Sequence, residues 1–262
     1  MTGRAARADL PQLTRLWQTC FHDSETEVQA FWKCFGDKIG IFCARDGKKV
    51  TAMACALPVQ LVDDAGESHE AAYLYAVATD PAYRGRGLCG EILACAERAL
   101  RAQSAEYAIL VPAEPGLFAL YERYGYKTAF FRGREEISGA ACAGKVEEID
   151  ADTYFSLREL LLFDSFVSCG PDYLTYQATT DRLMRIETAG QVHCAVCAQD
   201  GSELTVKELL PYTPEAAALL LKHFGCKRGG CLTPQGTLPY GMCKALSGAP
   251  LPQNCYLGLA LD

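Results

Sequence analysis

Two glycines in the stretch RGRGLC, residues 84–89, have the type and spacing needed to bind a phosphate group. Gly85 and Gly87 lack a β-carbon and can adopt a positive φ, so the backbone can turn sharply and a phosphate oxygen can approach the amide groups. An amphipathic helical pattern begins at Leu88, and the free N–H groups and positive dipole end of such a helix would face the same anion. The stretch therefore predicts a pyrophosphate-binding loop.

The loop connects a predicted strand to a predicted helix. Residues 71–79 have the alternation of a strand that stops at Asp80-Pro81, with Tyr73, Tyr75, Val77 and Thr79 expected on one face. Apolar positions between Leu88 and Leu100 repeat as one helical face. A glycine loop between a strand and a helix is the context that distinguishes a phosphate loop from an ordinary turn.

The other N-terminal segments predict the elements that position this loop. Helical spacing gives helices over residues 9–21 and 28–35, and a hairpin signal stands at Asp46-Gly47. The predicted elements that follow are strands 39–44, 50–61 and 71–79, the helix after the loop, strand 107–111, helix 115–123 and strand pieces 126–131 and 135–137.

Three of these segments resemble the GNAT acetyltransferase family, which moves an acyl group from acyl-CoA. Residues 4–17 are similar to the family's first strand and helix, residues 79–87 (TDPAYRGRG) to its strand and [RQ]xxGx[GA] loop, and residues 117–126 (LFALYERYGY) to its closing helix. The resemblance covers residues 4 to about 137. It implies the α/β (mixed α+β) GNAT acyl-CoA N-acyltransferase fold, in which helices flank a central mixed, mostly antiparallel sheet, and acetyl-CoA as the acyl donor.

The resemblance also implies roles for residues of this sequence. Tyr121 matches the family's tyrosine beside the CoA sulfur, where its hydroxyl can donate a proton or a hydrogen bond to the departing thiolate. Backbone N–H groups of the splayed strand would pair with pantetheine and hold the carbonyl oxygen. The residues assigned to acetyl-CoA binding in this way are Val77, Ala78, Thr79, Arg84, Gly85, Arg86, Gly87, Leu88, Cys89, Gly90 and Glu114.

Plainer interpretations compete with these roles. Tyr121 lies in an apolar helical stripe and would fit there as a core residue. Arg84 and Arg86 also fit as surface cations beside a turn, although charge near a diphosphate favours the binding role. Two positions depart from the family pattern. Cys89 stands where the loop usually has Gly or Ala, and Glu114 stands where Asn often precedes the closing helix.

The general base has no clear candidate in the sequence. A lysine-like amine has a pKa near 10.4, so a group must accept its proton or select the neutral fraction. Residues 71–79 contain no carboxylate. The candidates are Asp23, Glu25 and Glu27, in the segment that borders the acceptor site in GNAT proteins, and each also fits as a solvated charge at a helix start.

Residues 139–262 repeat the plan of the first half, so the sequence predicts a tandem arrangement of a GNAT domain at 1–138 and a smaller GNAT-like domain. Residues 139–144 read as a linker. A helix follows over 152–163, then strands 183–186, 191–198 and 204–210, a helix over 213–224, and strands 240–246 and 255–261.

The second half lacks the phosphate loop. Pro211 follows its third strand where an amide donor would be needed, so we expect no CoA binding there. Residues 227–230 (KRGG) follow a helix C-terminus and read as a connecting turn. Tandem relatives suggest that a C-terminal carboxylate, here Asp262, enters the acceptor site.

Composition narrows the possible partners. The chain has 262 residues and a net charge of −7, which argues against nucleic acid and anionic membranes as partners. No segment approaches the roughly 20 apolar residues of a membrane span, so a cytoplasmic protein is expected. The fourteen cysteines are scattered, and His193, Cys194, Cys197, Cys226 and Cys231 do not form a tetrahedral pattern, so no metal is expected.

Three functional classes follow. The first, which we favour, is an acetyl-CoA-dependent N-acetyltransferase that acts on a primary amine of a small molecule, a peptide end or a polyamine. The second is a non-catalytic acyl-CoA sensor, which needs the loop but not Tyr121. The third is a tandem-GNAT aminoacyl transferase that uses aminoacyl-tRNA, against which the acidic charge counts.

Overall fold

The computed structural model describes residues 1–138, 143–162 and 164–261. By its contacts the chain divides into two compact units. Unit 1 contains Met1–Leu61, Ser68–Thr128 and Gly241–Pro252, and unit 2 contains Val62–Glu67, Ala129–Tyr240 and Gln253–Asp262. The division falls at Thr128 rather than at residue 138, and each unit includes a segment from the other half of the sequence. The boundary of 1–138 and 139–262 stays a prediction about domains.

Unit 1 has the order of elements that the sequence predicts. After the short strand β1 (Thr2–Arg4) come helices α1 (Leu10–Phe21) and α2 (Glu25–Phe35), strands β2 (Gly40–Asp46), β3 (Lys49–Val62) and β4 (Ser68–Thr79), helix α3 (Leu88–Ala102), strand β5 (Tyr107–Leu110) and helix α4 (Gly116–Glu122). Gly36 and Gly47 adopt positive φ where α2 ends and where β2 turns into β3, as their places in the pattern predict.

The sheet of unit 1 has the strand order β1-β2-β3-β4-β5, and the end of strand β12 (Arg228–Ala245) pairs with β5. β2 pairs antiparallel with β1 and β3, whereas β4 and β5 run parallel with α3 as their crossover. The apolar face of α3 covers the sheet through Ile92, Leu93, Ala96 and Leu100. The predicted mixed, mostly antiparallel sheet is therefore confirmed, and its one parallel pair within 1–138 is the pair that α3 connects.

The sequence pattern places the end of β12 in the second half, whereas in the structure this segment pairs within unit 1. Met242 pairs antiparallel with Leu110, and Lys244 with Ala108, so the end of β12 completes the sheet of unit 1, and the residues as far as Pro252 belong to the same unit. The amino group of Lys244 also lies 2.7 Å from Glu97 Oε2 and donates to the carbonyl of Tyr124 at 2.8 Å. Strand pairing between distant segments leaves no local pattern, which is why the sequence did not reveal it.

Unit 2 contains strand β6 (Lys127–Glu136) almost entirely, then β7 (Gly144–Glu148), α5 (Ala151–Leu161), β8 (Phe166–Cys169), α6 (Pro171–Gln177), β9 (Arg182–Thr188), β10 (Gln191–Asp200), β11 (Glu203–Leu210), α7 (Pro214–His223) and the first part of β12. Its strand order is β12-β11-β10-β9-β7, and β6 pairs with β12. β11 and β12 are parallel and α7 connects them. Unit 2 therefore repeats the arrangement of β4, α3 and β5.

Several expectations for the second half need correction. β12 begins at Arg228, so residues 227–230 lead into a strand rather than a connecting turn. Residues 255–261 form no regular strand and contribute only an isolated bridge at Tyr256. β7, β8 and α6 were not predicted, because each is short. Most of the proposed linker at 139–144, the last residue of the predicted helix, Phe163, and Asp262 lie outside the described residues.

The cysteines are predominantly packing residues. Cys194 and Cys197 are both fully buried, and a register shift in β10 stands between them. Cys197 packs in the core under α7, whereas Cys194 lies near the Glu208 carboxylate. Among residues 1–138, 143–162 and 164–261, no group of three or more Cys, His, Asp or Glu side chains is arranged to hold a metal ion. No helix in this part of the chain is long and apolar enough to cross a membrane.

Candidate active site

The pairing of the parallel strands β4 and β5 ends before β4 does, and the crevice of this site is the position beside the edge of β4 that β5 leaves unpaired. Their register runs from Ala71–Tyr107 to Tyr73–Ile109, β5 ends at Leu110, and β4 continues to Thr79. Ligands of α/β sheets bind outside the carboxyl ends of parallel strands, because the loops and helix N-termini converge there. The end of β4 is therefore available to pair with an extended ligand instead of with β5.

The backbone of β4 is interrupted at Ala76, which has a φ of +49°. Tyr73 and Tyr75 lie stacked at 5.9 Å on one face, where Tyr75 contacts Trp17 of α1. Val77 instead packs on the opposite core beneath α3. The single face predicted for Tyr73, Tyr75, Val77 and Thr79 is therefore wrong after Tyr75, because the irregularity at Ala76 shifts the alternation by one residue. A non-glycine residue with positive φ gives no signal in the sequence.

The glycine loop has the backbone conformation that its sequence predicts. Gly85 has a φ of +75° and Gly87 a φ of +80°, and no atom lies within 4 Å of where a β-carbon would be at either residue. Gly87 is the N-cap residue of α3, and it has no side chain that could accept a hydrogen bond from the first turn of the helix. The first hydrogen bond of the helix runs from the N–H of Glu91 to the carbonyl of Gly87. The N–H groups of the first turn therefore remain available for an anion.

Charged and aromatic side chains hold the segment that leads into the loop. Asp80 accepts a hydrogen bond from the Ala82 N–H at 2.9 Å and forms an ion pair with Lys49 at 2.8 Å. The hydrogen bond from Lys49 lowers the pKa of the Asp80 carboxyl, and the one from Ala82 adds to this. Lys49 and Arg86 both lie over the ring of Tyr83, at 4.8 and 4.7 Å from its centroid. These contacts tie the loop to the start of β3.

The two arginines of the loop make backbone contacts within unit 1. Arg84 Nε donates to the carbonyl of Thr79 at 3.2 Å, and Arg86 Nη2 donates to the carbonyl of Ala82 at 3.2 Å. Both side chains are exposed. Each guanidinium group therefore holds the loop through one hydrogen bond. Since a guanidinium group has five N–H donors, the others are available to a ligand.

Tyr121 lies on α4, packed against Cys89 in the first turn of α3. Its side chain is only 6% exposed, and its ring contacts that of Tyr126 edge to face at 6.2 Å. Burial raises the pKa of the Tyr121 hydroxyl, and the nearby Cys89 and Tyr124 groups raise it further. Burial also raises the pKa of the Cys89 thiol to about 11. Both groups are therefore protonated at neutral pH.

The Tyr121 hydroxyl has no hydrogen-bond partner among the described side chains and backbone groups. It is not among the fully buried polar atoms that lack a partner, which are Arg158 Nη1 and Gln177 Oε1. The neighbouring Tyr126 differs, because its hydroxyl donates to Glu97 at 3.1 Å. Tyr121 thus combines a buried ring with an accessible and uncommitted O–H, which a core role does not require.

The remaining candidates lie in different surroundings. Glu114 is exposed, and its carbonyl accepts the N–H of Leu117 where α4 begins. Asp23 accepts a hydrogen bond from Trp17 Nε1 at 2.7 Å. Glu27 forms a capping box with Ser24, and this contact lowers the pKa of its carboxyl. Asp23 and Glu27 therefore have structural partners, whereas Glu25 is an exposed residue in the first turn of α2.

Comparisons with known proteins identify the family that the N-terminal part of the chain matches. A family model described as an acetyltransferase (GNAT) domain matches residues 3–129. The search of curated proteins finds no match for the sequence. Because residues 3–129 contain the glycine loop, α3 and Tyr121, the part of the chain that carries the crevice is the part that the family describes.

Solved structures resemble nearly the whole chain. A probable N-acyltransferase from Enterococcus faecalis V583 has a TM-score of 0.77 and 16% identity, with 94% of this chain and 72% of that chain covered. A GCN5-related N-acetyltransferase from Anabaena variabilis has a TM-score of 0.75 and 16% identity, with 94% and 73% covered.

A tandem GNAT protein from the clavulanic acid biosynthesis pathway has a TM-score of 0.62 and 8% identity, with 95% of this chain and 99% of that chain covered. At such identities the likeness concerns the fold, and it extends over both units. Residues 3–129 therefore match the GNAT acetyltransferase domain family, and nearly the whole chain shares the fold of a tandem GNAT protein.

Proposed function

We propose that unit 1 transfers an acetyl group from acetyl-CoA to a primary amine. The observation that carries this proposal is the meeting of three features at one crevice: the unpaired end of β4, the positive-φ glycines at the start of α3, and the uncommitted hydroxyl of Tyr121 beside Cys89. A thioester bound along this path needs a diphosphate site, backbone donors for its carbonyl and a proton donor for its sulfur.

The donor is held by backbone groups. The N–H groups of Leu88, Cys89 and Gly90 in the first turn of α3 receive the diphosphate, and Arg84 and Arg86 add their remaining N–H donors. Backbone groups of Val77, Ala78 and Thr79 pair with the extended arm of CoA and polarise the thioester carbonyl. Because main-chain amides bind the ligand, the cysteine at position 89 is compatible with this role.

The chemical step forms a C–N bond and breaks a C–S bond. The nitrogen of a neutral amine attacks the thioester carbonyl carbon, and the electron pair of the C–S bond leaves on sulfur. Tyr121 donates its phenolic proton to the thiolate, and the proton lost by the nitrogen passes to water, from which Tyr121 is protonated again. The raised pKa of Tyr121 keeps the hydroxyl protonated when the thiolate leaves and also makes it a weaker acid, so the proton passes to the sulfur only as negative charge develops there.

Thiol release from acetyl-CoA, measured against a panel of small amines, peptide N-termini and polyamines, tests the proposal. With an active amine, Tyr121→Phe is expected to lower kcat by about 100-fold and to leave the affinity for CoA unchanged. Tyr126→Phe is the matched control. It removes a hydroxyl bonded to Glu97, so it lowers the melting temperature while the folded variant keeps its kcat.

Two outcomes would contradict the proposal. If calorimetry shows no binding of CoA or acetyl-CoA, the transferase interpretation fails. If CoA binds, no amine in the panel is acetylated, and Tyr121→Phe changes nothing, the chain is an acyl-CoA sensor. Separate titrations of the protein with aminoacyl-tRNA and with acetyl-CoA test the third class, because an aminoacyl transferase would bind the aminoacyl-tRNA.

A further inference from the structure

A cavity of about 260 Å³ in unit 2 carries an unusual concentration of positive charge. Two arginines of β6, Arg132 and Arg134, and Lys207 of β11 line it, together with Gln177 of α6 and Tyr240 of β12. The chain as a whole has a net charge of −7, so three cations at one cavity are not a consequence of composition. Among the residues that the structure describes, no acidic side chain is part of the lining.

The strand pattern brings these cations together. Arg132 and Arg134 are two residues apart on β6 and therefore project from the same face of the sheet. On β11, Lys207 lies on the face opposite Val206, which packs under α7. The parallel register of β11 with β12 places Thr205 beside Gly230, so the cavity lies on the sheet face away from α7.

The guanidinium groups of Arg132 and Arg134 lie beside a glycine and an aromatic ring and form no ion pair within the described residues. A β-carbon at residue 230 would lie 3.5 Å from Arg134 Nε and 3.6 Å from Nη2, so the glycine leaves space for this side chain. The Arg132 guanidinium lies 4.0 Å from the ring centroid of Tyr240. Within the described residues, neither arginine forms an ion pair. Lys207 differs, since its amino group lies 3.0 Å from Asp181 Oδ2.

An unsatisfied acceptor stands beside these cations. Gln177 is 4% exposed, and its Nε2 donates to Asp181 Oδ2. Its Oε1 is fully buried and has no hydrogen-bond partner. A buried acceptor without a partner is costly, and a ligand that brings a donor removes that cost. The cavity therefore presents donors for an anion, and Gln177 Oε1 becomes an acceptor for a neighbouring N–H or O–H when this side chain turns toward the cavity that it lines.

We propose that this cavity binds a small oxyanion, a carboxylate or phosphate, that carries an adjacent hydrogen-bond donor. Arg132 and Arg134 bind the anionic oxygens, since guanidinium groups match carboxylate and phosphate geometry. Gln177 Oε1 accepts the donor of the ligand, and Lys207 adds positive charge. The volume suits a metabolite smaller than a typical drug-sized ligand.

Calorimetry with four probes tests this pairing of groups. N-acetylglycine has a carboxylate and an amide N–H, inorganic phosphate has an oxyanion and an O–H, acetate has the anion alone, and N-acetylglycinamide has the donor alone. N-acetylglycine or phosphate is expected to bind at least about tenfold more tightly than acetate, and N-acetylglycinamide is expected not to bind. The first two probes also distinguish a carboxylate ligand from a phosphate ligand.

Three variants assign the site. The double variant Arg132→Gln/Arg134→Gln is expected to bind the tighter of the two probes, N-acetylglycine or phosphate, at least about tenfold more weakly. Arg228→Gln changes an exposed arginine of β12 and is expected to leave this affinity unchanged. Gln177→Leu is expected to abolish the preference for N-acetylglycine over acetate. Melting curves establish that each variant is folded. The proposal is overturned if no anion binds, or if binding survives in the double variant.

Measuring CoA binding together with anion binding distinguishes a failure of this proposal from a failure of the proposed transferase function. Because the glycine loop belongs to unit 1, the double variant is expected to bind CoA as the unmodified protein does. If the double variant loses both the anion and CoA, the cavity is part of CoA binding and not an independent site. If CoA fails to bind the unmodified protein while N-acetylglycine still binds, the transferase proposal fails and this one stands.

Discussion

The ring of Tyr124 fills the space that a side chain at residue 90 would need. A β-carbon built on Gly90 would lie 2.5 Å from Tyr124 Cε1, which is closer than real β-carbons approach other atoms. Gly90 is in the first turn of α3, and Tyr124 follows the end of α4. The glycine thus lets the anion-facing end of α3 pack against the helix that carries Tyr121.

Gly90→Ala is expected to destabilise the protein by about 1–3 kcal/mol, because the added methyl group overpacks the contact with Tyr124. In a Tyr124→Ala background the same change is expected to stabilise by about 0.5–1 kcal/mol, because alanine is the better helix former once the ring is gone. Denaturant unfolding of the four proteins in this cycle measures the change of sign. If the effects of the two substitutions on the unfolding free energy are additive, residue 90 and Tyr124 do not interact and the packing interpretation is wrong.

Gly87→Ala is expected to weaken CoA binding by about tenfold, because an alanine at a φ of +80° is strained and relaxation would turn the amides of the first turn away from the ligand. Gly66→Ala is the matched control, since Gly66 has the same φ and the same empty surroundings but lies in the turn between β3 and β4. Both variants should lose about 1 kcal/mol of stability. Equal losses of CoA affinity would argue against the loop as the binding site.

Asp80→Asn is expected to lower the melting temperature at neutral pH and to have no effect in acid. The folded-state pKa of Asp80 is lowered by Lys49, so the ion pair stabilises the folded state above the unfolded pKa of about 3.9. The stabilisation is lost as the pH falls through the folded-state value. Melting curves of both proteins between pH 3 and pH 7 should therefore converge at the acid end. A difference that is constant across this range would exclude the charge as its cause.

Glu208→Gln is expected to destabilise unit 2 by about 3–5 kcal/mol, because it removes the hydrogen-bonded counter-charge of the buried Arg158 guanidinium and leaves only Glu159, at 3.8 Å from Nη1. Both side chains are fully buried, and Arg158 Nε donates to Glu208 Oε2 at 2.9 Å. Glu203→Gln, at an exposed ion pair of 3.9 Å with Arg228, is the control and should cost less than about 1 kcal/mol. Denaturant unfolding measures both. Equal losses of unfolding free energy in the two variants would mean that the buried Arg158–Glu208 pair stabilises the protein no more than an exposed ion pair does.

Much of unit 1 could be predicted because its signals are local. The apolar spacing of α1 and α3, the hairpin at Gly47 and the order of elements depend on residues close together in the chain. The glycine loop is the strongest case, since its two positive φ angles require the residue type that the sequence shows. The position of Tyr121 followed from a motif, and its chemical role stays a prediction.

The sequence by itself determined the helices, most strands, the bend of the glycine loop and a resemblance to a family, because helical and strand periodicity and glycine freedom act over a few residues. Only the tertiary structure decided that the end of β12 completes the sheet of unit 1, that Ala76 interrupts β4, and that Arg132, Arg134 and Gln177 share one cavity. These features depend on contacts between segments far apart in the chain. Such contacts are selected by packing and strand pairing in the folded state, which no local pattern records.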